Sequence, residues 1–206
     1  MRVRSYTSSE LPGRCKRCWI RQEFCICSDV GLVTPRTHLV IVRHLRESWK
    51  STGTARAATL AVPSLTCLEY GEDTEPARSA LAAGLTEKGT YLLFPSDEAP
   101  GWDAPDVQRL VVLDGTWRQT RRMYHRLPVL HGLPRLSLPA KTRAVLQLRE
   151  SSFAEGRSTL EAIADALALI EGPQMGEQLH RVHALFVERV LRARGVWDEA
   201  QRAGRA

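Results

Sequence analysis

Four of the five cysteines in this chain lie within thirteen positions, as Cys15, Cys18, Cys25 and Cys27. Their spacing is C-x2-C-x6-C-x-C, so each of two close pairs offers two thiolates. Four thiolates are the usual ligands of a closed, tetrahedral structural zinc site, which keeps no open position for a substrate. Free thiols, a redox pair or an iron–sulfur cluster are the alternatives. The clustering, in a chain that opens without an apolar leader, favours zinc over disulfides.

A second chemical feature is an acid at the end of an apolar run. Residues 109–113 (RLVVL) predict a buried strand and lead directly into Asp114, Gly115, Thr116 and Trp117. Ligands of parallel sheets bind beyond the carboxyl ends of the strands, so we expect Asp114 at a ligand-binding edge. Gly115 permits a tight turn, and Thr116 can cap the helix that follows. The alternative is an ordinary strand–turn–helix junction, with Trp117 in the core.

Positive charge follows this acid at once. Arg118, Arg121 and Arg122 come directly after it, and the whole chain carries a formal net charge of +6. The planar guanidinium group suits phosphate recognition, so the charge is compatible with a nucleic-acid partner. These arginines, together with Arg149, are candidate RNA contacts. A merely solvated basic surface is the alternative.

Two further motifs mark predicted helix starts. Thr52 and Gly53 precede an alanine-rich stretch, and a helix N-terminus there favours an anion. An ordinary cap and turn explains the same residues. Ser158 and Glu161 have the S-x-x-E spacing of a capping box, which accounts for them without any ligand.

These motifs lie on a chain that alternates short apolar runs with helical patterns. The patterns predict strands over 38–42, 65–70, 91–94 and 109–113, an ambiguous segment at 133–138, and helices over 51–62, 116–126, 158–170 and 177–194. Short buried strands that alternate with helices indicate an α/β fold with a largely parallel sheet covered on both faces.

Four parts of the chain together resemble the DTW-domain family of tRNA-uridine aminocarboxypropyltransferases. The D-x-T-W element is present as Asp114–Trp117, and the cysteine cluster also matches. His44-Leu-Arg-Glu47 followed by Ser51-Thr52-Gly53 resembles an H-x-x-E…N-T-G stretch, and residues 158–162 match S-T-L-E-A. The chain departs from the pattern at Ser51, where many relatives have Asn, and at Leu45, where relatives often have Pro.

The resemblance implies a SPOUT-like fold, in which a mostly parallel sheet flanked by helices carries a knotted C-terminal segment that cradles S-adenosylmethionine. It also implies transfer of the 3-amino-3-carboxypropyl group to N3 of a tRNA uridine, with release of methylthioadenosine. The catalytic candidates are then Asp114, Thr116 and Trp117. The candidates for binding the donor are Thr52, Gly53, Leu113, Asp114, Gly115, Leu148, Ser158, Thr159 and Glu161.

The expected organisation is a flexible lead over 1–10, a four-cysteine zinc-binding module over 11–30 and a catalytic domain over 31–206. No apolar run approaches the roughly 18 residues that span a bilayer, and the polar first ten residues do not resemble a secretory signal. We therefore expect a cytoplasmic protein with tRNA as its partner, and the sequence implies no protein partner. A SPOUT-type RNA methyltransferase and a non-catalytic, zinc-containing RNA-binding protein are the alternatives.

Overall fold

A parallel sheet forms the centre of the molecule, as a computed structural model shows. The structure describes residues 12–71, 79, 82–95, 106–140, 148 and 156–198. Among these, five parallel strands pair in the order β2-β1-β4-β3-β5. The strands are β1 (His38–His44), β2 (Thr66–Tyr70), β3 (Thr90–Leu93), β4 (Arg109–Asp114) and β5 (Arg135–Leu136).

Helices cover both faces of this sheet. In chain order they are α1 (Thr54–Ala61), α2 (Trp117–Arg126), α3 (Pro128–His131), α4 (Thr159–Glu171) and α5 (Pro173–Ala193). Alternate residues of the central strands enter two separate cores. Leu39 and Val112 pack with α1, α4 and α5 on one face, whereas Val40 and Val111 pack with α2 and α3 on the other. This two-sided burial explains why β1 and β4 are apolar throughout their centres.

The predicted α/β class, with a parallel sheet flanked by helices, is confirmed. The strand boundaries differ from the expected ones by at most two residues, and 133–138 contains the two-residue β5. Residues 141–147 and 149–155, which precede α4, lie outside the described residues. The knot therefore stays a prediction.

Two helix starts differ from the expectation. α1 begins at Thr54 rather than residue 51, because residues 51 and 52 form a turn and Gly53 takes the N-cap position. α5 begins at Pro173 rather than residue 177, since proline is well suited to the first turn of a helix. The expectation also missed α3, whose four residues are too few to show a helical period.

Helices α4 and α5 pack closely because small residues meet between them. A Cβ built on Gly176 would lie 2.5 Å from the Cβ of Ala168 and 2.7 Å from the carbonyl oxygen of Ala164. The far end of α4 is fixed to the amino edge of the sheet. There the Glu171 carboxylate accepts the backbone N–H groups of Arg36 at 3.0 Å and Thr37 at 2.8 Å.

The cysteine cluster lies in a compact turn, residues 13–27, that we call the knuckle. An antiparallel bridge joins Arg14 to Arg21 at its base. The buried side chains of Cys18, Ile20 and Ile26 belong to the same core as α1, α4 and α5. The knuckle is therefore packed against the sheet domain. Within the described part of the chain, no helix has the length and apolar character needed to cross a membrane.

Candidate active site and metal centre

Asp114 is the last residue of β4, so it lies at the carboxyl edge of the sheet. Its side chain is only 6% exposed. The Thr159 hydroxyl donates a 2.5 Å hydrogen bond to Asp114 Oδ1, which joins the first residue of α4 to the end of β4. The first residue of α4 thus fixes the orientation of the Asp114 carboxylate at the end of the central strand.

Thr116 begins α2 with a complete capping box. Its hydroxyl accepts the Gln119 backbone N–H at 3.3 Å, and its own N–H donates to Gln119 Oε1 at 2.6 Å. A Cβ at Gly115 would come within 3.1 Å of the Gln119 Cβ, so the turn has little room for a side chain. The predicted capping role of Thr116 is present in the structure. Its predicted role toward a ligand stays a proposal.

Trp117 belongs to an aromatic stack rather than to the core. The indole is 38% exposed, and it stacks on Phe94 with a centroid distance of 5.7 Å and an interplanar angle of 19°. Phe94 stacks in turn on Tyr124 at 4.7 Å and 14°. Phe94 directly follows β3, and Tyr124 lies two helical turns after Trp117 on α2. Sequence reasoning missed both residues, although their positions on the strand edge and the helix face were available signals.

Ser158 and Glu161 form the predicted capping box at the start of α4. Glu161 is 1% exposed, and its Oε2 accepts the Ser158 backbone N–H at 2.9 Å. The Ser158 hydroxyl also lies 3.0 Å from Nε2 of the buried His183 on α5. Both side chains are thus turned toward the interior of the protein. Their local role is to hold α4, and hence Thr159, in place.

Thr52 and Gly53 lie in the loop between β1 and α1, residues 45–53, which we call the edge loop because it follows the carboxyl end of β1. Gly53 gives α1 no side-chain cap. The Thr54 hydroxyl accepts the Leu160 backbone N–H at 3.4 Å, so the starts of α1 and α4 lie side by side. Folding thereby brings Thr52, Gly53, Asp114 and Thr159 to one edge.

Positive charge surrounds the edge loop. His44 has a lowered pKa because burial disfavours its charged form, and because the cations Arg46, Lys50 and Arg122 oppose protonation although Glu47 favours it. Arg118 and Arg121, the other two predicted RNA contacts of α2, are also exposed. Because Arg122 acts on the pKa of His44, its charge also reaches the start of the edge loop.

The remaining predicted site residues are Leu113, Leu148 and Arg149. Leu113 is buried in the core on the α2 side of the sheet. Leu148 packs against the opposite core, and its carbonyl oxygen accepts a 3.2 Å hydrogen bond from Arg194. Arg149 lies outside the described residues. The structure thus places Leu113 directly before the acidic edge but gives no contact between Leu148 and that edge.

The four knuckle cysteines have the geometry of a single metal site. Their Sγ atoms all lie within 4.8 Å of one another, with 3.7 Å between Cys15 and Cys27 and 3.8 Å between Cys18 and Cys25. Zinc bonded to four thiolates at about 2.3 Å gives tetrahedral sulfur–sulfur edges of about 3.8 Å. The cluster can therefore bind a metal ion such as zinc.

Local backbone groups prepare this cluster for thiolates. Burial acts to raise the pKa of Cys15, but backbone N–H groups of Cys18 and Arg17, together with hydrogen bonds from the thiols of Cys25 and Cys27, outweigh it and lower the pKa to about 6. Burial, and then the neighbouring Cys15 sulfur, raise the pKa of Cys18 and of Cys27. The Arg17 N–H lies 3.5 Å from Cys15 Sγ, and the Cys27 N–H lies 3.5 Å from Cys25 Sγ. Such N–H groups favour the charged sulfur that a metal requires.

Fold and site together define an α/β protein with a four-cysteine knuckle that can hold a metal ion and an acidic edge on a parallel sheet. The model of the DTW domain matches residues 13–191, which is most of the chain. This chain therefore belongs to the DTW domain family.

Curated relatives point in the same direction. The chain is similar to tRNA-uridine aminocarboxypropyltransferase 2 of Drosophila melanogaster, with 28% identity over 86% of this chain and 76% of the fly protein. The proteins of the same name from Macaca fascicularis and Mus musculus are 25% and 26% identical over 76% of this chain. The matched region spans only 56% of each of those two relatives. No solved structure shows a significant match.

Proposed function

We propose that this protein is a tRNA-uridine aminocarboxypropyltransferase that uses S-adenosylmethionine and modifies N3 of a uridine. The names of the curated relatives and the membership of the DTW domain family support the reaction class. The observation that carries the proposal for this chain is the Asp114–Thr159 hydrogen bond. It orients the acid of the family motif at the carboxyl edge of a parallel sheet, the kind of edge beyond which such sheets bind their ligands.

Asp114 is proposed as the base. In the reaction, a bond forms between uridine N3 and the γ-carbon of the methionine part of the donor. The carbon–sulfur bond breaks and leaves its electron pair on sulfur, so that neutral methylthioadenosine departs. The N3 proton passes to a carboxylate oxygen of Asp114. Thr159 donates to Oδ1, and this bond directs the carboxylate without removing its charge.

The residues at the edge also fit the cationic donor. A sulfonium is positively charged, and the buried Asp114 carboxylate is a suitable counter-charge. The N-cap residue of α1, Gly53, provides no side-chain cap, so the first backbone N–H groups of the helix suit the donor's carboxylate. We assign Thr52 and Gly53 to this contact. For the adenosine portion we propose the cofactor-binding loop expected around residues 148–159.

The stacked aromatic residues suit the uracil. Aromatic side chains bind unpaired bases by stacking, and the exposed Trp117 stands beside Asp114 at the start of α2. Phe94 stacks on the indole and Tyr124 stacks on Phe94, so this stack supports the indole. Arg118, Arg121 and Arg122 then provide cations for the phosphates that flank the target nucleotide.

We assign zinc to the knuckle as a structural ion. The four thiolates fill a tetrahedral site and leave no coordination position for a substrate. Zinc bound there would stabilise the turn that holds Cys18, Ile20 and Ile26 against the core. None of the chemical steps at Asp114 requires it.

The test is a reaction of the pure protein with unmodified transcribed tRNA and S-adenosylmethionine, followed by mass spectrometry of the nucleosides. We expect uridine heavier by one aminocarboxypropyl group, together with methylthioadenosine. Asp114→Asn is the matched variant and should give far less of both. A methylated nucleoside with S-adenosylhomocysteine would identify a methyltransferase, and binding of tRNA without any product would identify an RNA-binding protein.

A further inference from the structure

Trp19 occupies an unusual backbone conformation inside the knuckle. Its φ is +64°, a left-handed value, and its side chain is only 8% exposed. Side-chain residues rarely adopt this conformation unless the surrounding structure fixes it. Here the Trp19 N–H donates to the Cys15 carbonyl oxygen at 2.9 Å, and the Arg14 guanidinium donates to the Trp19 carbonyl oxygen at 2.9 Å. The knuckle therefore determines where the indole points.

Arg56 of α1 lies directly over that indole. Its guanidinium carbon is 3.7 Å from the centroid of the Trp19 ring, which is a close cation–π contact. Burial and the nearby charge of Arg43 lower the pKa of Arg56 to about 10. Its Nε is buried and has no hydrogen-bond partner among the described residues. A buried donor without a partner costs free energy. Hydrogen bonds alone therefore do not explain why the Arg56 guanidinium lies there.

The same guanidinium also holds the edge loop. Arg56 Nη2 donates to the carbonyl oxygen of Ser48 at 2.5 Å. The Ser48 hydroxyl donates to Glu69 Oε1 at 2.6 Å, and Arg43 Nη2 donates to that same oxygen at 2.7 Å. One face of the Arg56 guanidinium thus packs on Trp19 of the knuckle, while its Nη2 binds Ser48 in the middle of the edge loop. Glu69 connects that loop to the ends of β1 and β2.

We propose that Arg56 is a positioning residue that transmits the fold of the knuckle to the edge loop, and so sets the affinity of the acidic edge for the donor. Its action is indirect, through Ser48 and the loop residues Thr52 and Gly53. The part that concerns the donor rests on the proposed function. The part that concerns the loop does not, because it is a property of the free protein.

The test uses hydrogen exchange of the edge-loop amides in the metal-loaded protein. The amides of Ser48, Lys50 and Gly53 donate to carbonyl oxygens within the loop, and the amide of Arg46 donates to His44 Nδ1. Arg56→Met and Trp19→Leu should each speed exchange over 45–53 and weaken binding of S-adenosylmethionine by about tenfold. The metal content of both variants should equal that of the wild type. Since Arg56→Met already removes the contact with the Trp19 ring, the double variant should be no worse than Arg56→Met alone.

Two further variants separate positioning from general stability. Arg56→Lys keeps the cation and should recover part of the protection and affinity. Arg192→Met removes a longer and more exposed cation–π pair at the end of α5, where the guanidinium carbon lies 5.4 Å from the Trp197 ring centroid, and should leave the edge loop unchanged. Unchanged exchange over 45–53 in metal-loaded Arg56→Met, or additive effects in the double variant, would overturn the proposal. If wild-type protein binds no donor, the proposed function fails, and the exchange data decide the role of Arg56 separately.

Discussion

The Thr159 hydroxyl donates to Asp114 Oδ1 at 2.5 Å, although the two residues are 45 positions apart in the chain. If this bond orients a catalytic base, Thr159→Val should lower kcat by about tenfold, the amount expected for a lost hydrogen bond to a charged group. Thr159→Ser keeps the hydroxyl and should recover most of the rate. Steady-state kinetics with transcribed tRNA checks this, and equal rates for Val and Ser would contradict the role.

Phe94 is expected to act through Trp117. Phe94→Leu removes the middle ring of the stack, so the indole loses its support and the target base binds less tightly. Base stacking contributes about 1–3 kcal/mol, so we expect KM for tRNA to rise roughly tenfold while kcat changes less. Trp197→Leu, distant from the edge, serves as the control. A change confined to kcat would argue against a stacking role.

The knuckle predicts one metal ion per chain. Cys25→Ser removes one of four thiolates and should lose the ion together with much of the folding free energy that depends on it. Elemental analysis and thermal unfolding measure the two effects. Cys67→Ser, which lies in β2 outside the cluster, should keep the metal. A Cys25→Ser protein with wild-type metal content and melting temperature would disprove a structural metal site.

Contact between Arg122 and a phosphate would be visible in the salt dependence of tRNA binding. Each neutralised phosphate contributes about 0.7–0.9 to the slope of log affinity against log salt, so Arg122→Ala should reduce the slope by about that amount. Arg181→Ala provides the comparison, because Arg181 lies on α5 and pairs with Glu177. Equal slopes for Arg122→Ala and wild type would remove Arg122 from the RNA face.

Asp165 links stability to pH. Burial acts to raise its pKa, but hydrogen bonds from His180 and Arg157 outweigh burial and hold the pKa below its ordinary value. A lowered carboxylate pKa stabilises the fold above the unfolded-state pKa of about 3.9, and this contribution is lost as the pH falls through the folded-state value. The stability difference between wild type and Asp165→Asn should therefore be full at neutral pH and vanish in acid.

Chemical denaturation at several pH values measures that difference. The Asp29→Asn variant breaks a more exposed pair with Arg189 and should cost less than about 1 kcal/mol. A difference between wild type and Asp165→Asn that stays constant down to a pH of about 2 would show that the hydrogen bonds to His180 and Arg157 do not depend on the charge of Asp165.

The sequence patterns predicted those parts of the fold that depend on local chemistry. The apolar run before Asp114 indicated a buried strand and hence an acid at its carboxyl edge, and the Ser158–Glu161 spacing indicated the capping box. Both features are set by residues a few positions apart. α5 starts earlier than predicted because residues 173–176 are held by packing: Gly176 lies against α4, and such contacts leave no periodic signal.

The partners of the candidate site were not predictable in the same way. Arg56 meets Trp19, and Ser158 meets His183, across long separations that only the folded chain closes. The alanine-rich sequence around Arg56 does not indicate that this side chain packs on the Trp19 ring. Phe94 was closer to prediction, because it follows β3 at the edge where Asp114 ends β4.

Helix α4 is fastened at both ends, to Asp114 through Thr159 and to the backbone of Arg36 and Thr37 through Glu171. The length of this thirteen-residue helix must therefore match the distance between the carboxyl and amino edges of the sheet. One added residue would lengthen the helix by about 1.5 Å and turn its far end by about 100°. Either Thr159 or Glu171 would then face away from its partner. The length of α4 is thus as constrained as its composition, and insertions belong in the neighbouring loops.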